Sequence, residues 1–143
     1  MPTFPRAHAT DNLVARGANV LVEPDGQRDV TLIATGSEVA IAVHAAVLLS
    51  RRGIRTAVVS VPCFELFAKQ PASYRAEVLG QAPRIGVEAA VEGAWSRWLG
   101  EDGIFVGMTG FGASAPASEL YEQFGITAEA VAAAAERSIA ARR

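Results

Sequence analysis

The chain has one cysteine, Cys63, one lysine, Lys69, and two histidines, His8 and His44, in 143 residues. A single cysteine excludes an internal disulfide, and nothing near Cys63 has the spacing of a zinc site or a redox pair. With so little lysine, positive charge rests on arginines that are scattered along the chain, and the formal net charge is −2. No basic stripe forms, so nucleic acid is not an expected partner. No apolar run approaches the roughly 18 residues that span a bilayer, and "MPTFPRAHATDN" lacks the charged-then-apolar layout of a secretory leader. These absences lead to the expectation of a soluble, cytoplasmic chain with no membrane partner.

Hydrophobic residues make up 50% of the sequence and charged ones 20%, the balance of one globular domain long enough to bury a core. Pro2 and Pro5 restrict the backbone near the start, so residues 1–17 read as an arm or interdomain linker and 18–143 as the domain. "ANVLVE" and "VTLIA" read as strands, and the turn-rich "PDGQRD" between them suggests a local hairpin. A helix over 37–52 follows, then a strand over 56–60, the irregular "VPCFELF", a helix over 72–79 and a strand over 84–88. The pattern continues with a helix near 93–99, a strand over 104–107, a helix over 116–124 and a final helix capped by Thr127. Strands alternating with helices predict a mostly parallel sheet with both faces covered.

The motifs carry little chemistry of their own. In "TGSE", Thr35 and Glu38 have the spacing of a capping box, which explains the stretch without a ligand. A phosphate cradle would need a longer glycine-rich loop, and Glu38 puts negative charge where an anion would sit. The helix that follows is apolar nearly all round: Val39, Ala42, Val43, Ala46 and Leu49 make one stripe, and Ile41, Val47 and Leu48 leave little polar surface opposite. Such a helix is expected to be covered on more than one side. His44, its main polar interruption, lacks a nearby carboxylate or second histidine and reads as a packing or interface residue. Cys63, between Pro62 and Phe64, reads as a small buried hydrophobe. Glu65, Glu88 and Glu92 fall at strand exits, where open α/β sheets place their sites, and Glu88 is the most site-like of them. "GFGASAP" allows close backbone approach but supplies no general base.

In order, "DVTLIATGSEVAIAVHAA", "VVSVPCFELFAKQPASYRAEVL", "IGVEAAVEGAWSRWLGEDG" and "GFGASAPASELYEQFGITAEAVAAAA" resemble the C-terminal domain of transketolase. The resemblance covers essentially the whole chain. It implies a three-layer α/β/α fold with a five-stranded mixed, mostly parallel sheet. The first strand would be antiparallel at the edge, beside the third and not the second. The strand ending at Ala34 would then border a topological switch point.

Whole transketolases transfer a two-carbon ketol unit between sugar phosphates, in the pentose phosphate pathway or Calvin cycle, using thiamine diphosphate and a divalent metal, magnesium or calcium. The motifs that hold the cofactor, the metal and the sugar lie in the two preceding domains of that family, and none occurs here. The resemblance therefore implies no catalytic, cofactor or metal residue in this chain, which by itself would be inactive. It implies instead a structural and assembly role, with the preceding thiamine-binding domains as partner, on the same or a separate chain, and with self-association. Thr35, Gly36, Ser37, Glu38, Glu88, Trp95, Phe111, Gly112, Ser114 and Pro116 conform to the family pattern. From these, with His44 added, the candidate docking or switch-point residues are Thr35, Gly36, Ser37, Glu38, His44, Glu88, Phe111, Gly112 and Ser114. A reading from another class is a regulatory module that binds a nucleotide or metabolite at the switch point.

Overall fold

A computed structural model of the chain describes residues 17–36, 38–91, 96–99, 103–108 and 127–141. In chain order the elements are β1 (Asn19–Val22), β2 (Val30–Ala34), α1 (Glu38–Arg51), β3 (Thr56–Ser60) and α2 (Phe64–Ala68). They continue with α3 (Ala72–Leu79), β4 (Arg84–Val91), α4 (Ser96–Leu99), β5 (Ile104–Met108) and α5 (Ala128–Ala141). The helix expected over 116–124 lies outside the described residues.

The strands form one sheet in the order β1-β3-β2-β4-β5. β1 runs antiparallel to β3, and the other pairings are parallel. The mixed sheet implied by the family resemblance is therefore present, and the local hairpin reading of β1 and β2 is corrected. The reason lies in β2, all five of whose residues are buried. A strand apolar on both faces belongs in the middle of a covered parallel sheet. With β3 on one side and β4 on the other, β2 has no edge left for β1. The register of β1 against β3 also shifts between Val20 and Val22, and Pro24 follows shortly after the strand.

Alternation along β2 divides the core. Val30, Leu32 and Ala34 pack with α1 and α5, whereas Ile33 packs with α2, α3 and α4. The apolar surplus of α1 is largely absorbed within the chain: Ile41, Val43 and Leu48 are partly buried against the core that α5 completes. Val47 alone among the large apolar residues of α1 is exposed, at 44%. At the start of α5, the Ala130 N–H donates to Thr127 Oγ1 at 3.1 Å, the cap expected from the sequence.

The opposite layer is aromatic. Phe67 of α2 is fully buried, 5.2 Å from the Trp98 ring and 6.2 Å from the Tyr74 ring by centroids. Tyr74 donates its hydroxyl to the Ala18 carbonyl at 2.7 Å and so fastens α3 to the entry of β1.

Arg28 joins three segments at the amino end of the sheet. Its guanidinium forms a two-pronged pair with Glu23 at 2.7 and 2.8 Å, and donates to the Val78 carbonyl at 2.8 Å and Thr31 Oγ1 at 3.3 Å. The side chain is only 9% exposed although Glu23 is 47% exposed, so removal of Arg28 strips part-buried acceptors, the Val78 carbonyl and Thr31 Oγ1, of their donor. Arg28→Ala is expected to lower unfolding free energy by about 2 kcal/mol in urea titrations. Arg52→Ala, which breaks a solvent-exposed pair with Glu136, should cost less than about 1 kcal/mol. Equal losses would show that Arg28 is not a staple.

Candidate site at the carboxyl end of the sheet

At Ala34 and Ser60 two adjacent parallel strands end side by side. The chain leaving β2 turns into α1 on one face, and the chain leaving β3 turns into α2 on the other. This divergence is the switch point at which open α/β sheets form a crevice. Here it encloses about 400 Å³, lined by Thr35, Gly36 and Val39 on one side and Ser60, Val61, Pro62 and Phe64 on the other. The Val61 N–H donates to the Ala34 carbonyl at 2.9 Å and closes the floor.

The turn above β2 is built by backbone hydrogen bonds. Glu38 N–H donates to the Thr35 carbonyl at 3.1 Å and Val39 N–H to the Gly36 carbonyl at 3.3 Å. Glu38 heads the described part of α1 and lies in its first turn. An acidic side chain there complements the helix dipole. The Glu38 carboxylate turns back toward the glycine, its Oε2 3.6 Å from where a β-carbon on Gly36 would stand. It is buried, at 7% exposure.

The remaining candidate residues divide by location. Val87 of β4 pairs with Ala34, so Thr35 and Glu88 follow one residue beyond a shared rung. The backbone of Glu88 thus borders the same end of the sheet, although its side chain lies outside the described residues. Ser37, Phe111, Gly112 and Ser114 also lie outside them, as do Trp95 and Pro116. His44 is exposed in the middle of α1 and does not line the crevice. Cys63, half-buried, precedes α2 and makes no side-chain cap bond. The sequence reading missed Pro62 and Phe64 as part of this wall.

A diphosphate with its metal needs oxygen ligands for the ion and cations or converging N–H groups for the phosphates. Among the described residues, no three His, Cys, Asp or Glu side chains gather so as to hold a metal. No cation lines the crevice among those residues, and the Glu38 carboxylate faces the turn. The described residues of this crevice do not fit thiamine diphosphate.

The charged groups collect at the other end of the sheet. Asp29 accepts from the Arg55 backbone N–H at 2.8 Å and from its guanidinium at 3.1 and 3.2 Å. These hydrogen bonds and the charge of Asp29 raise the Arg55 pKa above its already high ordinary value. Such a group stays protonated at neutral pH and offers no acid–base chemistry. No helix among the described residues is long and apolar enough to cross a membrane.

Comparison with known proteins agrees with this architecture. Residues 17–127 match the family described as the transketolase-like TK C-terminal domain. A transketolase from Cereibacter sphaeroides is 59% identical over 139 residues, 97% of this chain and 21% of the relative. One from Sinorhizobium medicae is 57% identical over 136 residues, 94% of this chain and 20% of the relative. The solved transketolase from Leishmania mexicana superposes with a TM-score of 0.84 at 41% identity, covering 95% of this chain and 20% of that one. The chain thus spans about a fifth of the length of these relatives. With its sheet order, edge strand and sequence all matching, the chain belongs to the transketolase C-terminal domain family.

Proposed function

We propose that this chain is the assembly domain of a transketolase. In this reading it supplies fold and docking surface to a two-carbon ketol transfer between sugar phosphates, and contributes no catalytic group. The transfer would serve the pentose phosphate pathway or Calvin cycle in the cytoplasm. Thiamine diphosphate and a divalent metal, magnesium or calcium, would be held by the preceding domains, and the whole enzyme, self-associated, would be the active form. The observation that carries the reading is the 59% identity to a transketolase along 97% of the chain. The crevice lining supports it, since it has hydroxyls and apolar groups but no cation among the described residues. The same lining counts against a nucleotide-binding regulatory module.

Three measurements test the proposal. The 143-residue chain alone should show no sugar-phosphate turnover, and thiamine diphosphate with magnesium should leave its melting temperature unchanged, because specific binding would raise it. Substituted for the matching C-terminal segment of the Cereibacter sphaeroides enzyme, it should give an assembled, active transketolase. Turnover by the chain alone, cofactor stabilisation, or an unassembled chimera would each overturn the reading.

A further inference from the structure

We infer that the preceding domain of a transketolase polypeptide docks on the carboxyl end of this sheet, against Pro62, Phe64 and Leu66. The inference rests on the assembly role proposed above and specifies its surface. Its first support is where the chain enters. β1 is antiparallel, so its first residue, Asn19, lies beside Ser60 at the carboxyl end of β3. Gly17 is held there by the Cys63 N–H, which donates to its carbonyl at 3.1 Å. A β-carbon at Gly17 would stand 2.3 Å from both the Cys63 carbonyl oxygen and the Phe67 nitrogen. The backbone therefore passes directly over the start of α2, and a domain joined upstream of Gly17 is tethered to this end.

The chemistry of the surface is the second support. Leu66 is 41% exposed, Pro62 is exposed, and Phe64 is half-buried. Pro62 and Phe64 also form one wall of the 400 Å³ crevice whose other wall is Thr35 and Gly36. The surface suits a partner that lays an apolar side chain between the walls, with a cation beside the exposed Glu65. At the amino end, by contrast, Arg28, Arg55 and Arg52 are paired with Glu23, Asp29 and Glu136. Covering those ion pairs would cost desolvation without offering a new partner. The other exposed large apolar residue, Val47, borders a separate cavity lined by Val22 and Thr56, at the end remote from the chain's entry.

The experiment uses the Cereibacter sphaeroides chimera described above, carrying Leu66→Glu, Leu66→Ser or Val47→Glu. Calorimetry reports whether the domains unfold together, and limited proteolysis reports release of this domain from the rest. Leu66→Glu should split one transition into two and speed release about tenfold, the factor that corresponds to losing one well-buried leucine contact. Leu66→Ser should act in the same direction, and decides the question if the glutamate variant fails to fold as an isolated chain by circular dichroism. Val47→Glu should leave both readouts at the parent value. A single transition with parental release in the folded Leu66 variants, or splitting by Val47→Glu alone, overturns the docking surface. An unsubstituted chimera that fails to assemble overturns the assembly role instead.

Discussion

Replacing Phe67 with alanine should lower the unfolding free energy by about 4 kcal/mol, the largest loss expected from any single truncation among the described residues. Phe67 is the largest fully buried side chain among the described residues and stands between Trp98 of α4 and Tyr74 of α3. Its ring is the common contact of three short elements that cannot hold together by helix propensity alone, because α2 has five residues and α4 four. The loss combines the transfer of the ring with a cavity that these elements can only partly close. For a domain of this size it corresponds to a fall in melting temperature of about 15 °C. Phe67→Leu, which keeps most of the volume, should cost about 1 kcal/mol. Thermal and urea denaturation followed by circular dichroism would measure both. A shift below about 3 °C for the alanine variant would mean that this layer does not unfold with the sheet.

Gly17→Ala should cost about 3 kcal/mol for a different reason. The residue has φ +86, and its new methyl group would meet backbone atoms, the Cys63 oxygen and the Phe67 nitrogen, each at 2.3 Å. Flexible side-chain ends could move aside; these atoms cannot move without shifting α2. Gly53→Ala separates the two components, since Gly53 has φ +78 but nothing within 4 Å of the added carbon. It should lose only the conformational part, about 1 kcal/mol. Equal losses at the two positions, by urea titration, would refute the steric account. Because the obstacle at Gly17 is α2 itself, held by Phe67, the combined Gly17→Ala and Phe67→Ala variant should lose less than the sum.

Much of the fold was legible because the apolar pattern of each strand reports how it is covered. The run "VTLIA" carries hardly a polar residue, and β2 is indeed the strand flanked on both sides. Thr127 announced the start of α5 by a cap whose chemistry is local. The β1–β2 hairpin failed because turn residues report only that a chain bends, whereas pairing depends on which edges remain after the centre of the sheet fills. The five residues of α2 are too few to show a helical period, so Phe67, the centre of its layer, was not singled out. Arg28 was missed because its partners Glu23, Thr31 and Val78 come from separate segments.

The candidate site was legible as a position and not as a surface. "TGSE" marked the turn at Thr35 and Gly36, and the expected strand order placed it at the switch point. The opposite wall, Pro62 and Phe64, lies about 25 residues later along the chain and joins it only when β2 and β3 pair. Glu38 could be read as a charge near the turn, but not as a carboxylate folded back over Gly36.

The short outer strand also bears on how such chains can associate. β1 has four residues, its register against β3 slips between Val20 and Val22, and Glu23 and Pro24 follow at once. A neighbouring molecule cannot lengthen the sheet along this border by more than a rung or two, because the pleat is out of step and the proline has no hydrogen to donate. Growth of an end-to-end ribbon from this side is thereby blocked, which leaves side-chain packing as the means of association here.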